Sequence, residues 1–199
     1  MVSQIQSVNG VCGGDLQGYS GCTAGEISIS EVIDLEFEGG VTECVNGQPL
    51  TISSATVNYI MGTQARSDLI LWLADQEGVD PRNAAGVGQS CSAFSLPGPF
   101  GTPPDTINPF GDVDGDQCGD LAVNVPTASR TFTNITFNCQ DNDSDGKADA
   151  QVLLTWDVAN NNEICGTGVD EFPTAGPPSK CDYQLLNTTV DLVFAPELT

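Results

Sequence analysis

The sequence predicts an all-β protein, an antiparallel β-sandwich or jelly roll with long loops. Three observations predict it. Short segments alternate apolar with polar residues or are dense in Ile, Val, Thr and aromatics; 22 Gly and 12 Pro among 199 residues punctuate them; and eight Cys lie along the whole chain. Alternation with period two is the mark of a strand with one buried face, and regularly spaced turn residues favour short strands over helices.

Taken in order, "EVIDLEFEGG" alternates Ile33, Leu35 and Phe37 with Asp34, Glu36 and Glu38, as a half-buried strand does. "LTISSATVNYIM" is rich in β-branched and aromatic residues. "SDLILWLAD" is continuously apolar, which suits a core strand or a short helix; its length and flanks favour the strand. "RTFTNITFNC" sets Phe132, Asn134 and Thr136 against Thr133, Ile135 and Phe137, while "ADAQVLLTWDV" and "NTTVDLVFAP" complete the set. Trp72 and Trp156 fall inside these segments and are expected in the core. Long loops are expected between about 76 and 112 and between 159 and 180; the five prolines of "SLPGPFGTPPDTINPFG" exclude a helix there. Residues 12–199 read as one domain, preceded by an arm, 1–11, in which Val2, Ile5 and Val8 are the apolar residues available to fill a groove.

A net charge of −22 with five basic residues excludes nucleic acid, which is held by Lys and Arg through counterion release, and disfavours an anionic membrane surface. The longest strongly apolar run, "LILWLA", is far too short to span a bilayer, so no membrane insertion is expected. The beginning, "MVSQIQSVNG", lacks the basic and apolar regions of a signal peptide; a secretion signal is expected to have been removed or to lie outside this stretch. The eight Cys include no CxxC pair and the chain has no His, which argues against zinc. Four disulfides formed in an oxidising compartment fit better, placing the protein outside the cell or on its surface. The expected pairs are Cys12–Cys22 and Cys165–Cys181, closing local loops, with Cys91–Cys118 and Cys44–Cys139 joining distant segments.

The most specific signal is "DNDSDGKAD". Asp141, Asp143 and Asp145 stand at positions 1, 3 and 5 of a calcium loop, Gly146 at the sharp turn of position 6, the Lys147 carbonyl at 7 and Asp149 at 9. Alternate side chains of such a loop converge, and calcium takes six to eight hard oxygen ligands. Position 12 is Val152, already in a strand pattern, so the terminal Glu of an EF-hand is missing; the competing explanation is a solvated acidic turn. "FGDVDGDQCGD" is a looser relative: Asp112, Asp114, Asp116 and Asp120 keep the 1, 3, 5, 9 spacing with Cys118 at position 7, but the glycine stands at 4. A disulfide-tethered acidic turn competes there. The predicted sandwich is therefore one whose loops are stabilised by disulfides and calcium. Asn134 and Asn187 head N-x-S/T sequons and are weak candidates for glycosylation; Asn142 heads a third, within the first acidic loop.

No enzyme is expected. Without His no Ser-His-Asp or Cys-His arrangement can be built, and the clustered carboxylates are better explained by metal than by a glycosidase pair.

The blocks "GCTAGEISISEV", "ARSDLILWLADQEG", "DVDGDQCGDL", "CQDNDSDGKADAQVLLTWD" and "PPSKC" resemble, in order, a cysteine-rich module of large secreted bacterial surface proteins, with "TAGE" in place of "TAND" and "DQEG" in place of "DGG". In overall character the chain is also similar to the subunits of glycan-coated extracellular fibrils, in which one β-rich protein passes a terminal strand into its neighbour. These resemblances imply a structural subunit of a filament or surface appendage, assembling head to tail on copies of itself with the arm near 1–10 as donor strand. The alternative is a monomeric, calcium-dependent module that binds carbohydrate or another partner within a secreted adhesin.

Overall fold

The computed structural model describes residues 7–9, 26–61, 66–74, 91–95, 110–111, 119–121, 127–141, 143–157 and 180–195. Among them the chain is all-β. Its strands are β1 (Ser7–Asn9), β2 (Ile27–Phe37), β3 (Glu43–Val45), β4 (Pro49–Met61), β5 (Arg66–Ala74), β6 (Cys91–Ser95), β7 (Phe110–Gly111), β8 (Gly119–Leu121), β9 (Thr127–Asn138), β10 (Lys147–Asp157) and β11 (Cys181–Val193), with one 3-10 turn at Glu38–Gly40. The expected long loops lie largely outside the described residues.

Two sheets face each other. The larger runs β1-β6-β5-β10-β11-β3, with β8 joined to β5 and β7 joined to β8; the smaller runs β2-β4-β9. One apolar core fills the space between them, contributed by Ile52, Tyr59 and Phe132 of the smaller sheet and Leu71, Leu154 and Trp156 of the larger, among others. Full burial of each large apolar side chain stabilises by about 1.5–3 kcal/mol. β5 and β10 are buried on both faces. Leu69, Leu71 and Leu73 point into the shared core, while Ile70, Trp72 and Leu153 are buried outside it. Their unbroken apolar runs follow from that, as in any strand that meets no water on either side. Trp72 and Trp156 are both 0% exposed, and Trp72 Nε1 donates to Thr155 Oγ1 at 2.9 Å.

Simple alternation fails in β2, where bulges reset it, and in β4 and β9, which change parity together. In β2, Ile27 and Ile29 are buried; the register against β4 then slips between Ile29 and Glu31 and again between Ile33 and Glu36, where Asp34 takes φ 52°. Each extra residue moves the following side chains to the other face. Val32, Leu35 and Phe37 therefore pack against the core, and Ile33, expected inside with Leu35 and Phe37, is 38% exposed. In β9 the expected alternation separates Phe132 from Ile135 and Phe137. Asn134, at φ 58°, reverses the parity, and all three are buried. β4 reverses opposite it, with Ile52 and Ala55 both inside, so the β4–β9 register is kept throughout.

The sheets are not wholly antiparallel. After β2 the chain leaves the smaller sheet, and β3 pairs parallel to β11 at the rim of the larger one. It then turns back into β4 through Asn46–Gln48, where Gln48 N donates to Val45 O at 2.9 Å. This crossing brings Cys44 to Cys139, and the two form the expected disulfide across 95 residues.

The N-terminal segment also departs from expectation. Ser7–Asn9, within the arm expected to enter a neighbouring subunit, pairs antiparallel with β6 of its own chain, Ser7 against Phe94 and Asn9 against Ser92.

Candidate metal centre

The acidic loop hangs between two fixed points. At its start, Cys139 is covalently held to β3, its N–H donates to Gln48 O and its carbonyl accepts from Gly47 N, both at 2.8 Å. At its end, β10 begins at Lys147 between β5 and β11. The intervening backbone is folded by its own carboxylates. Asp141 Oδ1 accepts from the N–H of Ser144 at 2.6 Å and of Asp145 at 3.1 Å, and its Oδ2 accepts from Gly146 N at 2.9 Å. Asp143 Oδ1 accepts from Asp145 N at 3.1 Å, and Asp145 Oδ1 accepts from Lys147 N at 2.8 Å. The loop closes on itself through left-handed residues, Ser144 at φ 67° and Gly146 at φ 83°. The Gly146 carbonyl accepts from Leu192 N at 2.9 Å, which pins the turn to β11.

The result is convergence. Asp141, Asp143, Asp145 and Asp149 each offer a carboxylate oxygen, and these lie within 4.8 Å of one another. Asp143 and Asp145 are exposed, Asp141 is half-buried, and Asp149 is 0% exposed at the base of the cluster. Asp149 N donates to Gln140 O at 2.7 Å across the neck of the loop. Such a group of hard oxygens can hold a metal ion. A carboxylate has about four lone-pair directions, so those that accept backbone N–H bonds keep others free for an ion. The nearby ammonium of Lys147 is turned to Asp191 of β11, whose hydrogen bond holds it above the ordinary lysine range. Val152, at the position where an EF-hand has its last Glu, is 2% exposed in the core and offers no ligand.

Structure added what the sequence did not signal. Asn187, the residue of β11 paired with Asp149, sets its Nδ2 3.5 Å from Asp143 Oδ2. At the opposite end of β10, Glu26 gathers Arg66 (3.2 Å), Lys180 and the indole N–H of Trp156 (3.3 Å). Single charged residues at strand ends carry no spacing pattern, so neither arrangement could be read beforehand.

Of the looser acidic loop, Asp112, Asp114, Asp116 and Cys118 lie outside the described residues, and Asp120 is a buried residue of β8, 3% exposed. Cys12, Cys22 and Cys165 lie outside them too. Cys91 belongs to β6, Cys181 is disulfide-bonded, and no described cysteine is free. Asn134 and Asn187 are exposed on β9 and β11, and Asn142 lies outside the described residues. No helix among the described residues is long and apolar enough to cross a membrane.

No protein-family model matches the chain, and no curated protein matches it. Among solved structures it is similar to AvmM, described as catalysing macrocyclization in alchivemycin A biosynthesis, at 15% identity and a TM-score of 0.37, covering 88% of this chain and 96% of that one. The filament expectation is corrected: the comparisons give no filament subunit, and Ser7–Asn9 of the arm expected to be donated pair with β6 of their own chain. At this TM-score the likeness carries no argument about what the chain binds or catalyses.

Proposed function

We propose that the chain is an extracellular β-sandwich domain that binds one calcium ion in the loop 141–149, where the ion cross-links the loop to β10 and acts structurally, not catalytically. The observation that carries this is the convergence of four carboxylates on one point, with Asp149 fully buried at its base. Calcium suits the donors better than its competitors. Zinc prefers nitrogen and thiolate ligands, absent from this cluster, and magnesium demands near-ideal octahedral geometry and gives up its water reluctantly. The disulfide beside the loop supports an oxidising compartment, where calcium is also abundant.

The test is isothermal titration of metal-stripped protein with calcium and with magnesium, beside the Asp145→Ala variant. One calcium per loop and a weaker response to magnesium are expected, with Asp145→Ala lowering affinity by at least about tenfold, the loss of roughly one charged ligand interaction. Unchanged calcium binding in Asp145→Ala, or no binding by the wild type at millimolar calcium, would reject the site.

A further inference from the structure

Between β3 and β4 the chain turns at Asn46-Gly47, and both residues are exposed. The turn runs from Val45 to Gln48 and is closed by the Gln48 N–H, which donates to Val45 O at 2.9 Å. Gly47, third in the turn, takes φ 77°, while Asn46 is not among the described non-glycine residues with positive φ; that combination is a type II turn, which favours glycine at this place. A Cβ on Gly47 would meet nothing within 4 Å, so the backbone angle, and not crowding, calls for glycine. The turn is also pinned from outside. Asn46 N–H donates to Val193 O at 2.9 Å, Gly47 N–H donates to Cys139 O at 2.8 Å, and Cys139 N–H donates back to Gln48 O at 2.8 Å. Cys139 is 0% exposed and joined to Cys44 of β3 by the disulfide.

An asparagine followed by glycine carries its own electrophile and nucleophile, and no side chain on the second residue hinders their approach. The Gly47 nitrogen loses its proton and attacks Asn46 Cγ. The N–Cγ bond forms, the Cγ–Nδ2 bond breaks, and the side-chain nitrogen leaves as ammonia with that proton. The product is a five-membered succinimide ring. Water then cleaves either N–C bond between the ring nitrogen and a carbonyl carbon, giving isoaspartate when the backbone carbonyl carbon takes the water and aspartate when Cγ takes it. No oxidant, reductant or second protein enters the balance.

We propose that Asn46 is a self-modification site which the fold keeps shut through Cys139. While the Gly47 N–H is bonded to the Cys139 carbonyl, the nitrogen keeps its proton and is no nucleophile. The reaction therefore proceeds only from states in which the turn has lifted off Cys139, a local opening that leaves the sheets intact. Isoaspartate makes that opening permanent. It routes the backbone through Cγ and lengthens it by a carbon between residues 46 and 47, so Gly47 and Gln48 no longer reach Cys139 and Val45 together. The stem of the acidic loop, anchored at Cys139, then loses a backbone tie, whatever the loop holds.

The experiment ages the oxidised full chain in mildly alkaline buffer, folded and, in parallel, unfolded in denaturant with its disulfides intact. Peptide mapping follows the conversion of Asn46 and separates it from the chain's other Asn-Gly pair, Asn9-Gly10. Amide hydrogen exchange of Gly47 is measured on the folded protein in the same buffer. Asn46 is expected to convert in the unfolded chain and at least about tenfold more slowly in the folded one, the cost of opening more than one backbone hydrogen bond. The slowing should be at least as large as the exchange protection of the Gly47 N–H, because both processes remove the same proton. In the isoaspartate form, purified by its added carboxylate on an ion exchanger, Cys139 N–H exchange is expected to quicken by at least about tenfold while Tyr59 in β4 keeps its protection. Conversion as fast in the folded chain as in the unfolded one, a slowing smaller than the Gly47 protection, or an isoaspartate form with unchanged Cys139 exchange would each overturn the proposal.

Discussion

Gly146 shows how much one residue decides in this molecule. Its φ of 83° lies in the left-handed region, and the turn it makes sends Lys147 into β10 while the three preceding N–H groups bond to Asp141 and Asp143. A Cβ at this position would meet nothing within 4 Å, so a substitution meets backbone strain and no clash. Gly146→Ala is therefore expected to lower stability by about 1–2 kcal/mol in urea unfolding with chelator present. It should also weaken calcium binding, because the strained loop must hold the same geometry to ligate. Full stability of the alanine variant would mean that the turn is not fixed by this residue.

At the scale of the element, the bulges matter more than the apolar residues they rearrange. Ile29 and Ile33 share a strand, a residue type and, by simple alternation, a face. The register slip between them leaves Ile29 at 8% exposure and Ile33 at 38%. Ile29→Ala is expected to destabilise by about 2–4 kcal/mol, as a truncation in the core does. Ile33→Ala is expected to cost about 1 kcal/mol or less, because water already reaches the side chain. Paired denaturation curves for the two variants check this; equal costs would place both side chains on one face and remove the bulges. The long, exposed-edge strand β2 also carries Glu31, Asp34 and Glu36, and charges and bulges of this kind discourage pairing with another chain.

At the scale of the molecule, the dominant fact is charge. With a net charge of −22, self-repulsion opposes the compact state throughout, and among the described residues four carboxylates converge in the acidic loop. Calcium at a hundredfold excess over its dissociation constant should add about 2.7 kcal/mol, or a rise in melting temperature of roughly 5–10 °C for a domain of this size. Sodium chloride should raise the melting temperature of the chelated protein and do less for the calcium-loaded one, since the ion has already neutralised the repulsion within the loop. Scanning calorimetry with chelator, with calcium and across a salt series measures both effects. A salt response that is the same with and without calcium would show that repulsion within the loop is not what salt relieves.

The sequence by itself determined the all-β class, because period-two patterning and turn residues are local properties that no distant contact needs to supply. It also determined the acidic loop, because the ligands of such a loop lie within nine consecutive residues, from Asp141 to Asp149, and their spacing alone makes them converge. The Cys44–Cys139 disulfide was legible as one of several possible pairings; only the crossing of β3 into the larger sheet brings the two sulfurs together. What only the tertiary structure decided depends on parity and on distance along the chain. Which of Ile29 and Ile33 is inside turns on a single inserted residue in β2, and the burial of both Phe132 and Ile135 turns on the left-handed Asn134 between them in β9. The place of Ser7–Asn9 against β6 is set by an edge some 85 residues away in sequence. Glu26 finds Trp156 and Lys180 at separations of 130 and 154 residues, contacts that exist only because two sheets close over one core.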